Sequence, residues 1–406
     1  MRILICWAVF CLLISKSNDV IASPEDLKLA RILESFQIQE CQMLPRHKLT
    51  SLGKRLFEST LLSGDNDVSC ATCHLEKHGF ADGLAMAIGV GGKGEGEERL
   101  YDGKGTLVQR NAFTLFDRGR PGYNTFFWDG KVDADESTIY SPFGNYLSPI
   151  FRDALSVAAI LPLTERDEFL GQLSVFNANE YQEAVGDSLY QRRYELLSKA
   201  IRERIAETDL GKAFDDVGIS PNELELAHIG NALAAFIRDE FSCPDTPWNR
   251  FLAGDSEALS NSQKQGAIVF FGKGRCVGCH QPPFFSDLQF HSIGVPQGEF
   301  GPNPRKRDIG RANVTNKGED LNLFKTPSLI AVSRTAPYGH NGIFDSLEEV
   351  IVQHVNPLEW YVNNRSEIPS DRLRITKYLD QRSPYLQYIE ITENDLNDLL
   401  DFLEAL

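Results

Sequence analysis

Two stretches of this chain, Cys70-Ala71-Thr72-Cys73-His74 and Cys276-Val277-Gly278-Cys279-His280, decide how the rest of it is read. Each is a C-x-x-C-H pentapeptide, the attachment signature of a c-type haem. The spacing has a chemical reason. Two thiols placed this way can each close a thioether to a vinyl group of one porphyrin. The adjacent histidine then lies under the ring with its imidazole on iron. A zinc half-site or a redox cysteine pair also uses C-x-x-C, but neither needs histidine directly after the second cysteine. Cys70, Cys73, Cys276 and Cys279 are therefore the expected attachment points of two haem c groups, with His74 and His280 as iron ligands.

Around these motifs, 406 residues leave room for two domains with ample core. Hydrophobic residues make up 42% and charged residues 24%, an ordinary globular composition. The net charge of -16 argues against nucleic acid and anionic membrane surfaces as partners, since the long-range field repels both. The first 22 residues read as a secretory signal: Arg2, an apolar run from Ile3 to Ile14, and a cleavage site after Ala22. The run is short for a bilayer, so the mature chain is expected to lack a membrane span and to be periplasmic. An uncleaved anchor is the alternative. Cys6 and Cys11 fall in this leader, which leaves Cys41 and Cys243 either as a disulfide or as two separate thiols.

Helical periodicity dominates and strand signals are sparse, so the expected fold is mainly α. Pro24-Glu25-Asp26 opens a first helix, and residues 152–161 form another that Pro162 ends. Thr164 with Asp167 reads as a capping box for the segment that follows. Residues 178–241 are mostly amphipathic helix. Cys243-Pro244-Asp245-Thr246-Pro247 breaks the pattern and suggests domains over 23–250 and 251–406. Ser262 to Phe271 leads into the second motif. Leu347 to His354 is a helix, and Thr392 caps a final one that could fold back on the first domain. The glycines between Gly79 and Gly96 mark a loop beside the first motif. A phosphate-binding reading fails there, because no strand precedes it and no G-K-[ST] follows.

A haem that only carries electrons has both axial positions filled, whereas one that activates peroxide needs one open. Outside the leader the only methionines are Met43 and Met86, both in the first half. A second ligand at the second motif must then come from His291, His340, His354 or a tyrosine. His354 shares a helix face with Val350, Ile351 and Val355, where a histidine is ordinarily a core residue. His78 follows His74 too closely to reach the opposite ring face and reads as a surface-loop histidine.

The order of motifs resembles a known family, the bacterial di-haem cytochrome c peroxidases and their MauG branch. The first C-x-x-C-H is followed by Gly79-Phe80-Ala81-Asp82-Gly83, Arg110-Asn111-Ala112, Phe126-Phe127-Trp128-Asp129-Gly130 and Leu161-Pro162-Leu163-Thr164-x-Arg166-x-Glu168. After the second come Thr335-Ala336-Pro337-Tyr338-Gly339-His340-Asn341-Gly342 and Ser346-Leu347-Glu348-Glu349-Val350. The resemblance runs from about Leu52 to the end.

It implies two cytochrome c-like domains, a peroxidatic haem at the first motif and a six-coordinate relay haem at the second. Many members place a removable distal histidine where this chain has Val90, which implies an open first iron. Glu168, six residues after Pro162, takes the place of the family's acid/base glutamate, and Trp128 that of the tryptophan between the haems. Ala158 stands where a glutamine is often found, and the stretch from Lys131 to Asp153 looks long. The relay ligand maps to His354, fourteen residues after His340, which implies a bis-histidine iron. A calcium ion is implied between the domains, held by the Asn111 side chain and the carbonyls of Thr335 and Pro337. The implied activity is reduction of hydrogen peroxide, with electrons from a small redox protein or from a protein substrate. A peroxide scavenger and a non-catalytic electron carrier are the alternatives.

Overall fold

The computed structural model describes residues 23–101, 107–171, 181–295, 308–364, 379 and 382–406, so the expected leader lies outside it. The fold is mainly helical. The strands among the described residues are two or three residues long and form three small antiparallel sheets. Among the described residues, no helix is long and apolar enough to cross a membrane.

The helices begin where the sequence supplies caps. Ser23 and Asp26 close a capping box on helix Pro24–Ser35, Ser260 and Gln263 do so on Asn261–Phe271, and Thr392 and Asp395 on Glu393–Glu404. The two halves then repeat one packing arrangement. The helix before the first motif, Thr50–Glu58, crosses Leu226–Phe241, and the helix before the second, Asn261–Phe271, crosses Glu393–Glu404. A glycine stands at each crossing. A Cβ on Gly53 would lie 2.0 Å from the Ala232 carbonyl oxygen, and one on Gly266 would lie 1.9 Å from that of Asp398. Only glycine lets these backbones approach so closely.

A single apolar core runs through both halves, with a smaller cluster around Phe344, Trp360 and Tyr361. Trp248, Phe270, Phe271, Phe285 and Phe402 interlock beneath the second motif. The final helix packs chiefly on Asn261–Phe271 and also meets the end of the expected first domain, where the Trp248 N–H donates to the Ala405 carbonyl at 2.9 Å and the Trp248 ring meets Phe402 edge-on at 5.4 Å. The helix near the chain start reaches across as well: Pro24–Ser35 lies on the same 261–271 helix, tied by Asp26 to Lys264 at 2.9 Å. Cys41 and Cys243 form a disulfide across 202 residues.

One local expectation fails. Thr164 does not cap the following segment; its hydroxyl donates to the Leu161 carbonyl at 2.7 Å. Residues Arg166–Leu170 instead make a wide turn, in which Gly171 N–H reaches the Arg166 carbonyl at 3.1 Å. Such π-type turns often mark functional positions.

Candidate functional site

The first motif begins as one turn of helix, Cys70–Cys73. His74 follows, with Nδ1 bonded to the Phe80 carbonyl at 2.7 Å. At the second motif the arrangement recurs: His280 Nδ1 meets the Phe285 carbonyl at 2.9 Å. A carbonyl accepts only from N–H, so each ring carries its proton on Nδ1 and presents a bare Nε2. Burial holds His74 down to about 4 and lowers His280 as well, which keeps both neutral at physiological pH. All four motif cysteines are free of disulfides. This donor set fits haem c at both places: paired thiols, a neutral imidazole with its tautomer fixed, and apolar surroundings.

Across from the first motif, the two positions singled out by the resemblance touch each other. Val90 N–H donates to the Glu168 carbonyl at 3.0 Å. Gly89 makes this possible, because a Cβ there would fall 1.7 Å from the Asp167 carbonyl oxygen. Buried Arg99 pins the loop from below, donating to the carbonyls of Ile88 at 2.6 Å and Gly89 at 2.7 Å. Val90 is buried and offers iron no ligand.

Glu168 sits on the wide turn, half-buried. Burial pushes its carboxyl up to about 7; the Lys131 ammonium opposes this, and Glu165 and Asp167 add to it. Its charge is felt at Cys70: burial pushes that thiol up to about 12, and Glu168 adds to the rise. A polar group surrounds it that sequence reasoning missed. Lys131 Nζ lies 3.3 Å from Glu165 Oε1, and Tyr190 donates to the same oxygen at 2.9 Å. These residues come from separate parts of the chain, so no spacing announces them. His78 is not a free surface histidine. Its ring lies against Gly83, and Nε2 is 3.5 Å from Glu97.

The second motif opens on a cavity lined by Cys276, Cys279, His280, His340 and His354, with Trp128 entering from the first half. His354 projects from helix Leu347–Val355, its Nδ1 held by the Val350 carbonyl at 2.7 Å. Burial chiefly, with the nearby His280 adding to it, lowers it to about 4. Of the other histidines, His291 pairs with Asp287 at 2.8 Å, and buried His340 stacks on Phe324 at 3.7 Å.

Between the motifs, Trp128 Nε1–H donates to the Asn111 carbonyl at 3.0 Å, and its ring meets His340 edge-on at 6.4 Å. Phe113, which the sequence did not single out, lines the second cavity and lies 6.3 Å from the His74 ring. Asn111, Thr335 and Pro337 line the same cavity. Asn111 Nδ2 donates to the carbonyls of Leu84 at 2.8 Å and Pro337 at 3.2 Å. The amide and carbonyl expected around a cation thus converge. Ligation would need the amide turned to present its oxygen. Beside them Arg110 ties the halves, 2.6 Å from Asp129 and paired twice with Asp308 at 2.6 and 2.8 Å. Burial alone would raise Asp308, but Arg110 outweighs it and holds the carboxyl down to about 2.

Comparison with known proteins agrees with this geometry. A family model described as di-haem cytochrome c peroxidase matches residues 47–257, more than half of the chain. The cytochrome-c peroxidase IdrP2 of Denitromonas iodatirespirans is 29% identical over 340 residues, covering 77% of this chain and 76% of that protein. The methylamine utilization protein MauG of Methylorubrum extorquens is 28% identical over 359 residues, covering 88% and 77%. In fold, the crystal structure of the diheme peroxidase BthA from Burkholderia thailandensis superposes with a TM-score of 0.63 at 21% identity, covering 90% of this chain and 87% of that one.

Proposed function

The chain belongs to the di-haem cytochrome c peroxidase family, a family of oxidoreductases, and from that membership we propose that it is a MauG-like peroxidase/oxidase with one open and one six-coordinate haem. Haem c would supply the iron and the stored electrons, and Cys70, Cys73 and His74 would hold it at one motif, Cys276, Cys279, His280 and His354 at the other. What supports the asymmetry is the difference in what lies near each motif: Val90 and Glu168, joined through their backbones, near the first, and the His354 imidazole with His280 in the cavity of the second.

Glu168 is the proton carrier. As carboxylate it would take a proton from one peroxide oxygen and return it to the other, so that the departing oxygen leaves as water rather than hydroxide. A carboxyl with pKa near 7 suits both directions at physiological pH. The carbonyls of Phe80 and Phe285 keep His74 and His280 oriented. Trp128, fixed by Asn111, lies where electrons would pass between the halves. Reduction of hydrogen peroxide to two waters consumes two electrons and two protons. The electrons come from a small redox protein or from side chains of a protein substrate. Calcium at Asn111, Thr335 and Pro337 would stiffen this boundary. The Cys41–Cys243 disulfide favours export to the periplasm, where disulfides persist.

Glu168→Gln tests the proton role by stopped-flow reaction of the holoprotein with hydrogen peroxide. A loss of about 10²- to 10⁴-fold is expected. An unchanged rate removes Glu168 from the mechanism.

A further inference from the structure

Arg118 and Lys325, from the two halves of the chain, line the cavity of the second motif, and each is only 3% exposed. Their hydrogen-bond partners are neutral. Arg118 Nη1 donates to Tyr123 Oη at 2.6 Å, and its Nε donates to the Thr114 carbonyl. Lys325 Nζ reaches the same phenol at 3.3 Å and the Thr326 carbonyl at 3.2 Å. The guanidinium also lies 4.1 Å over the Phe113 ring. The carboxylate that acts on Lys325, Asp287, is already bound by His291 at 2.8 Å. Behind Arg118 stands His74, whose protonation the guanidinium opposes. Burial alone would push the Tyr123 phenol up, yet the two cations hold it below its ordinary value.

Two buried cations sharing one phenol, with no carboxylate among their hydrogen-bond partners in the described residues, are strongly unfavourable unless an anion joins them. The cavity's expected occupant brings one, because a porphyrin of this class carries two propionates. We propose that Arg118, Lys325 and Tyr123 form a carboxylate site that binds a propionate of the haem attached at Cys276 and Cys279. This rests on the reading of the second motif as a relay haem. The consequence is a tuned relay. Bis-imidazole ligation lowers the reduction potential, whereas adjacent cations favour the reduced iron and raise it again.

The test is an optical redox titration of the low-spin centre between pH 5 and 8. With both cations in place the propionate stays ionised, so the wild-type potential should be flat over this range. Lys325→Gln and Arg118→Gln should each lower the potential at pH 8. Each should also make it climb on acidification, as the unclamped propionate takes up a proton. Lys325→Arg should restore wild-type behaviour. A wild-type potential that already climbs towards pH 5 overturns the site, even if neither glutamine variant folds. So do glutamine variants that match the wild type at every pH. A wild-type protein without a low-spin centre would instead defeat the relay reading itself.

Discussion

The two C-x-x-C-H motifs are alike in everything that attaches a haem and unlike in what stands opposite. Each follows a helix that crosses a partner at a glycine, and each has its histidine fixed through Nδ1 by a phenylalanine carbonyl. Opposite the second motif an amphipathic helix delivers His354. Opposite the first, a glycine-rich loop closes on a wide turn and leaves Val90 and Glu168. On the proposed reading, the elements that cover a repeated scaffold give it two chemistries. Sealing an iron needs a ligand on a rigid helix, whereas leaving one reactive needs a loop without ligands and a carboxyl tuned to exchange protons.

This contrast can be broken in either direction. The largest effect should follow His354→Ala, which removes the proposed ligand outright; the second centre should turn from low-spin to high-spin in its optical and EPR spectra. An unchanged spectrum would exclude His354 as a ligand. The mirror experiment is Val90→His. An imidazole there should convert the first centre towards low-spin and suppress its reaction with peroxide, making the first half resemble the second.

A smaller effect concerns acidity. Since Glu168 must be ionised to accept the proton and its carboxyl is raised to about 7, the peroxide reaction should weaken as pH falls below 7. Lys131→Met removes the cation that opposes this rise, so the limb should move to higher pH. A limb that stays put would show that Lys131 does not act on Glu168. The smallest effect on spectra, though not on stability, should come from Cys41→Ser with Cys243→Ser. Loss of this long-range link should cost about 2–5 kcal/mol in denaturant unfolding and leave both centres spectroscopically intact.

What could be read from the chain alone follows from how local each feature is. The haem motifs are five contiguous residues each, and their ligands need no tertiary information. The cap at Thr392 is equally local; those at Ser23 and Ser260 are local too, but the sequence reading did not single them out. Glu168 and His354 are isolated side chains with ordinary structural readings, and only the motif order gave them roles. Thr164 was misread because a threonine three residues before an acid fits a capping box, while the hydrogen bonds of Glu165 and Arg166 open the turn wider. Lys131 with Glu165 and Tyr190, and Arg118 with Lys325, are assembled from distant segments, so charge pairing there has no sequence period. The Cys41–Cys243 link was one of two open readings for the same reason.

The account stands on one iron being open and the other sealed by nitrogen on both sides. An EPR spectrum of the fully oxidised holoprotein tests this directly. One high-spin ferric signal together with one low-spin bis-imidazole signal is the predicted result. Two low-spin signals, with no high-spin iron at any pH, would contradict it and leave an electron carrier in its place.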